Sequence, residues 1–356
     1  YRIPSIVVSL RGTVLAFAEA RQSLGDHAEN VIVLRRSFDQ GRSWGPLQVV
    51  ATRRPNCLNN PQAVVLPSNG RILLMYQMFP QGRHSRPIGE QIQTVLPGYE
   101  GDGVQRSFLV YSDDDGESWS EPRDITIQVK RPHVASVASG PGIGIVLRRP
   151  PYAGRVVMPF NQGWYAGELG DSRVWRFEVY AVYSDDGGET WNRGEVAPPQ
   201  PGSHEQTGWG NEVQMVELAD GSLMLNSRSF RGLKCRKIAL SRDGGRSWTP
   251  LQDEPQLPEP ECMASILRFS DPLDGEPSRI LFSGPSSQSK RERGTLRLSL
   301  DEGRTWSVSK VLVPRGQFAY SCLARLPGEQ IGCLFETGEY RRIVLARCPL
   351  SWLEQA

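Results

Sequence analysis

Lysine is scarce in this chain of 356 residues. Five of its 41 cationic side chains are lysines, at positions 130, 234, 237, 290 and 310; the rest are arginines. Net charge is only +2, which gives no reason to expect a nucleic-acid partner or a charged membrane surface. No apolar run approaches the length that spans a bilayer. The six cysteines, at 57, 235, 262, 322, 333 and 348, form no Cys-x-x-Cys pair, so a zinc site is not expected and they read as buried free thiols. The four histidines (27, 84, 133 and 204) lack metal spacing and read as solvated or structural. No Ser-His-Asp arrangement stands out. Gly140–Gly144 reads GPGIG but opens a strand, which makes a poor phosphate cradle. No leader is visible ahead of Tyr1, and a chain that opens on tyrosine reads as trimmed. The abundant residue is arginine, whose planar fork suits carboxylates and phosphates.

What is present is repetition. The pattern Ser-x-Asp-x-Gly-x-x-Trp occurs five times: SFDQGRSW (37–44), SDDDGESW (112–119), SDDGGETW (184–191), SRDGGRSW (241–248) and SLDEGRTW (299–306). Recurrence of this kind marks a repeat architecture. In each copy the aspartate can bind backbone N–H groups of its own turn. The glycine supplies a conformation that other residues resist. The tryptophan folds back as a wedge between units. The boxes therefore read as scaffold. A calcium loop starting at Asp113 would need a bidentate glutamate where Asp124 stands, with helices on both sides, and is rejected.

Upstream of each box, and once more near the C-terminus, two apolar runs flank a Gly- or Pro-bearing turn: 4–21, 61–79, 144–160, 211–230, 262–285 and 320–339. These are hairpin signals. A third run leads into each box (VIVLRRS, FLVYS, YAVYS, RKIALS, LRLS), and a fourth follows it in LQVVA and RDITI. Six units of about four antiparallel strands predict an all-β, six-bladed β-propeller occupying 1–356 as one domain. A helix is expected only in the final LSWLEQA, and loops over 80–106 and 161–177. The last unit ends in RIVLARCPLSW without a box, so a strand from residues 1–10 is expected at its closing seam.

In a propeller the ends of the innermost strands share one depression, so polar residues at hairpin ends matter. Arg2 opens the first hairpin, Glu212 the fourth and Tyr320 the sixth. Arg228 ends the fourth in NSRS, and Glu336 lies in LFETGE. Arg291 precedes the fifth box, and Asp26 follows the first hairpin. Singly, each reads as an ordinary surface charge or core aromatic.

Together they carry a resemblance. Five boxes, an opening YRIP, NSRS and AYS followed by GCLFE are similar to the sialidase (neuraminidase) family, in particular bacterial exo-α-sialidases with six-bladed catalytic domains. The similarity runs from Arg2 to the C-terminal RIVLARCPLSWL. It implies that Arg2, Arg228 and Arg291 grip the sialic acid carboxylate. SKRERGT also offers Arg293 for the third arginine, although the distance back from Trp306 favours Arg291. The resemblance further implies that Tyr320 is the nucleophile, Glu212 its partner, Asp26 the acid/base, Arg21 a neighbour of the sugar's 4-hydroxyl, and Glu336 a support for the first arginine. Met78, Phe79, Phe160 and Trp164 are candidates for a small apolar pocket around the N-acyl group.

The implied chemistry is coherent. The substrate's carboxylate sits on the reacting carbon, so a carboxylate nucleophile would meet Coulomb repulsion, whereas a neutral phenol would not. A phenol with an ordinary pKa near 10 needs a base. Asp26 must be protonated to assist the leaving oxygen, and part burial together with the anionic substrate is expected to raise its pKa. The resemblance implies retaining hydrolysis of terminal sialic acids from sialylated glycans (glycoproteins, glycolipids or oligosaccharides), with no cofactor and no metal. The alternatives are a trans-sialidase or anhydro-forming relative, and a non-catalytic sialoglycan-binding propeller.

Overall fold

A computed structural model describes residues 1–171, 175–203, 208–230 and 232–355; His204 lies outside them. Six sheets stand around one axis, each a meander of consecutive antiparallel strands running outward. Blade 1 comprises Arg2–Val8, Val14–Ala20, Val31–Ser37 and Gln48–Ala51. Blade 4 (Gly210–Glu217, Leu223–Ser229, Cys235–Ser241, Gln252–Pro258) and blade 5 (Ser265–Ser270, Arg279–Pro285, Glu292–Ser299, Val308–Gln317) repeat that plan. Blade 6 has three strands: Ser321–Leu326, Gln330–Thr337 and Arg342–Pro349. A short helix, Leu350–Glu354, follows it where the sequence predicts one.

Blades 2 and 3 are less regular. Blade 2 is built on Cys57–Val65, Ile72–Phe79, Arg106–Ser112 and Arg123–Asp124, and its innermost strand takes a parallel partner, Gly142–Ile143. Blade 3 runs Ser136–Ser139, Val156–Tyr165, Trp175–Ser184 and Asn192–Arg193. Its innermost strand is split: Ile145–Val146, in the hairpin expected over 144–160, pairs with Val156–Val157, and Ser136–Ser139, upstream of that hairpin, pairs with the far part of the same strand. The cause is the GPGIG break: a Cβ on Gly140 would fall 2.0 Å from the carbonyl oxygen of Val213 in blade 4. Only glycine lets the chain pass that close to its neighbour. Within the expected loop at 161–177, pairing between the two long blade 3 strands continues to Tyr165 opposite Trp175, so its two ends are strand while residues 166–171 stay turn and bend.

The boxes explain how blades adhere. In all five, the serine hydroxyl accepts the glycine N–H at 2.7–2.9 Å. The aspartate accepts the N–H four residues on at 2.8–2.9 Å. The bonded glycines have φ between 80° and 95°, a region that side chains disfavour. An added Cβ there would also reach within 2.3–2.9 Å of the preceding blade: Leu345 for Gly41, Leu15 for Gly116, Leu73 for Gly188, Ala181 for Gly245 and Met224 for Gly303. Each turn thus presses against the blade before it, and Trp119 meets Phe17 of blade 1 edge to face at 5.7 Å.

This rule also closes the ring. The first box packs on blade 6 through Leu345, and Arg2–Val8 forms the innermost strand of blade 1. Residues 1–10 thus lie next to the closing seam, as expected, although among the described residues no N-terminal strand joins the sheet of blade 6. The axial channel is walled by Ile6, Val64, Ile143, Met215, Ile266 and Leu323, and has a volume of about 370 Å³. At its mouth charges pair with one another, as in Arg148 with Asp274 at 2.6 Å. The six cysteines are buried free thiols.

Candidate active site

Strand direction places the site. Arg2 and Glu212 lie at the start of the innermost strands of blades 1 and 4, and Tyr320 immediately precedes that of blade 6. All three therefore sit at the same end of the channel. The first two starts are bulged, with register shifts between Arg2 and Ser5 and between Gly210 and Val213. Bulges of this kind re-aim side chains. Arg228 comes from the second strand of blade 4, Arg291 from the residue before the third strand of blade 5, and Glu336 from the second strand of blade 6. Arg21 and Asp26 follow the second strand of blade 1. These residues, Glu336 excepted, line one depression of about 300 Å³.

At its floor the hydroxyl of Tyr320 donates to Oε1 of Glu212. Nη1 of Arg228 donates to the same phenol oxygen at 3.2 Å and to Oε2 of Glu212 at 2.8 Å. The Cζ atoms of Arg2 and Arg291 stand 5.3 and 5.2 Å from the Tyr320 ring centroid. Burial, and then the charge of Glu212, push the Tyr320 phenol well above its ordinary value, while Arg228 and Arg291 pull against them. The site thus holds a neutral phenol whose proton already points at a carboxylate. Guanidiniums surround it where negative charge would develop on the oxygen.

Glu336 lies behind this group, fully buried. One of its oxygens accepts Nε of Arg2 and the N–H of Ile3, each at 2.7 Å, and the other accepts the N–H of Tyr320 at 3.3 Å. Arg291 donates to the carbonyl of Glu261 and to the Tyr340 hydroxyl, both at 3.1 Å. Arg293, the alternative third arginine, is not among the residues lining the depression.

On the opposite wall, Nη1 of Arg21 meets Oδ1 of Asp26 at 2.5 Å, and Nε donates to buried Glu19 at 2.6 Å. Burial works to raise the Asp26 pKa, but Arg21, assisted by His84 and Arg2, outweighs it and holds the carboxyl below its usual value. This reverses the direction expected from burial, because the ion pair with Arg21 is stronger than the effect of burial. His84 stacks on Phe79 at 4.6 Å, and burial pushes its imidazole down to about 4.

Of the candidates for the acyl pocket, Phe79 lines the depression. Met78 packs in the core between blades 1 and 2, and Phe160 in that between blades 2 and 3, where Trp164 lies against it. Phe177 and Phe230 line the wall instead, with ring centroids 4.8 Å apart. Sequence reasoning missed these two, together with Glu19, Asn59, Asn60, Asn161 and Asn211. Glu19 had a signal: it is the one charge in the apolar strand Val14–Ala20. Among the described residues no cluster of His, Cys, Asp or Glu could hold a metal ion.

Residues 12–333 match the family described as BNR repeat-like domain. A sialidase of Micromonospora viridifaciens is 35% identical, over 99% of this chain and 52% of that protein. Sialidase-3 of Mus musculus is 30% identical, over 95% of this chain and 89% of that protein. The solved structure of the Hadza microbial sialidase Hz136 superposes with a TM-score of 0.83 at 29% identity, over 99% of this chain and 66% of that one. The chain spans about half the length of the Micromonospora relative.

Proposed function

The chain belongs to the sialidase family, and from that premise we propose that it is a retaining exo-α-sialidase. It hydrolyses terminal sialic acids from glycoconjugates through a covalent glycosyl–tyrosine intermediate. The observation that carries this reading is the Tyr320 hydroxyl donating to Glu212 with Arg228 on the same oxygen. Glu212 takes the phenolic proton as the oxygen attacks the anomeric carbon. Arg2, Arg228 and Arg291 hold the substrate carboxylate by charge-assisted hydrogen bonds, each worth roughly 1.5–3 kcal/mol. That grip fixes the anomeric carbon over the phenol, so reach and angle are set before bond making.

Asp26 donates a proton to the leaving oxygen and then deprotonates water. The ion pair with Arg21 favours its ionised form. A substrate hydroxyl that draws Arg21 away, and a carboxylate that offsets the other arginines, both favour its protonated form. Phe79, Phe177 and Phe230 offer the apolar wall for the N-acyl group.

The test is release of a fluorogenic aglycone from an α-sialoside by wild type and by Tyr320→Phe. The variant keeps the ring and should lose roughly three orders of magnitude or more in kcat. Proton NMR should detect the α-anomer of free sialic acid first. Equal rates, or an initial β-anomer, would refute the tyrosine route. Added lactose separates hydrolysis from transfer, because only a transferase diverts the intermediate to a new glycoside. A binding module without catalysis would release nothing.

A further inference from the structure

Two like charges, Arg2 and Arg291, face the depression, and besides Tyr320 a second neutral side chain touches both. Tyr340 sits in the turn between the second and third strands of blade 6. Its ring centroid lies 4.3 Å from Cζ of Arg2, and its hydroxyl accepts from Nη1 of Arg291 at 3.1 Å. The backbone there is costly: Glu339 and Tyr340 have φ of 56° and 64°, left-handed values that a large side chain resists. Such strain persists where the surroundings over-determine it, and it is found preferentially at functional sites. Here Gln317 Oε1 accepts the Tyr340 N–H at 2.9 Å and pins the turn.

We propose that Tyr340 is a positioning residue that sets Arg2 and Arg291 at the separation and tilt one carboxylate requires. The inference rests on the sialidase reading and assigns a role outside the Tyr320, Glu212 and Asp26 machinery. The chemistry favours a phenol in this place. A carboxylate bridging the two guanidiniums would neutralise them and compete with the substrate's own anion. An aromatic face attracts one cation, and a phenol oxygen accepts from another, with no net charge added. Arg2 is gripped at Nε by Glu336 and across its plane by Tyr340, which leaves its terminal nitrogens for the ligand. Arg291 is gripped at one terminal nitrogen by Tyr340 and at the other by the Glu261 carbonyl.

The experiment compares Tyr340→Phe, which keeps the ring, with Tyr340→Gly, which accepts the φ value and removes both contacts. Steady-state kinetics on the aryl sialoside are paired with calorimetric binding of an unsaturated sialic acid analogue. Tyr340→Gly should raise both KM and the analogue Kd roughly tenfold, with Tyr340→Phe in between. In both variants kcat should stay within about twofold, as expected when uniform binding is lost. Melting temperatures report folding separately, and Tyr340→Phe carries the test alone if the glycine variant fails to fold. Wild-type KM and Kd in the variants, or a loss confined to kcat, would overturn the proposal. Arg228→Ala is the control. If it too binds the analogue normally, the sialidase reading has failed; if it loses binding while both Tyr340 variants keep it, only the role of Tyr340 falls.

Discussion

The Glu336 carboxylate accepts the Nε hydrogen of Arg2 at 2.7 Å across 334 positions of sequence, with both groups buried. One contact thereby ties the first strand to the last blade and aims an arginine into the site.

Glu336→Ala leaves that arginine buried without its partner, and breaking such a pair costs about 3–5 kcal/mol. Denaturant unfolding should register the loss, and KM for an α-sialoside should rise. Glu336→Gln keeps an acceptor and should lose less on both measures. Unchanged stability in Glu336→Ala would remove this residue from the seam.

Asp26→Asn separates acid catalysis from binding. A poor leaving group needs the proton that Asp26 supplies, whereas an acidic phenol does not. The variant should slow cleavage of sialyllactose by roughly 10²–10⁴-fold, with a much smaller effect on a nitrophenyl sialoside. Equal losses on the two substrates would argue against the acid role.

The box tryptophans differ in depth. Trp191 is 4% exposed in the core shared by blades 2 and 3, whereas Trp44 at the seam is half-buried. Trp191→Ala should cost about 3–5 kcal/mol. Trp44→Ala should cost about half of that or less, since less apolar area leaves water. Paired melting curves check the order, and a larger loss from Trp44 would reverse it.

Acid should loosen the ring through the box aspartates. Partial burial opposes ionisation of Asp114, but hydrogen bonds from Ser118 and Ser112 outweigh it and hold the carboxyl at about 2. Asp186, Asp243 and Asp301 are lowered in the same way, and Asp39 by its bonds from Ser43. A carboxyl whose folded pKa lies below the unfolded value of about 3.9 stabilises fully above that value. The stabilisation is lost as pH falls toward the folded pKa. Melting temperature should therefore decline between about pH 4 and pH 2, and less steeply in Asp186→Asn. A flat wild-type profile across that window would contradict the box hydrogen bonds.

The scaffold was readable because each box repeats a local rule: the Ser, Asp and Gly of the turn satisfy one another within eight residues. In blade 3 the strand Ser136–Ser139 escaped because HVASVASG is small and polar, without the β-branched run that announces a strand. Arg2, Glu212, Arg228 and Tyr320 were visible as polar residues at hairpin ends, yet their roles came from resemblance. Their convergence belongs to the tertiary structure. Tyr340 was hidden in ETGEYRR, an ordinary turn by composition, because its role depends on two arginines from the blades on either side of its own, one of them at the opposite end of the sequence.

Each box turn rests on the blade before it, and the first rests on the last. A linear array with such contacts would have an end from which to unravel. Here the array closes on itself with a box wedge at five of its six interfaces, so loss of any one unit opens two interfaces at once. The same interlocking keeps three arginines, drawn from three separate sheets, from drifting apart as the molecule breathes.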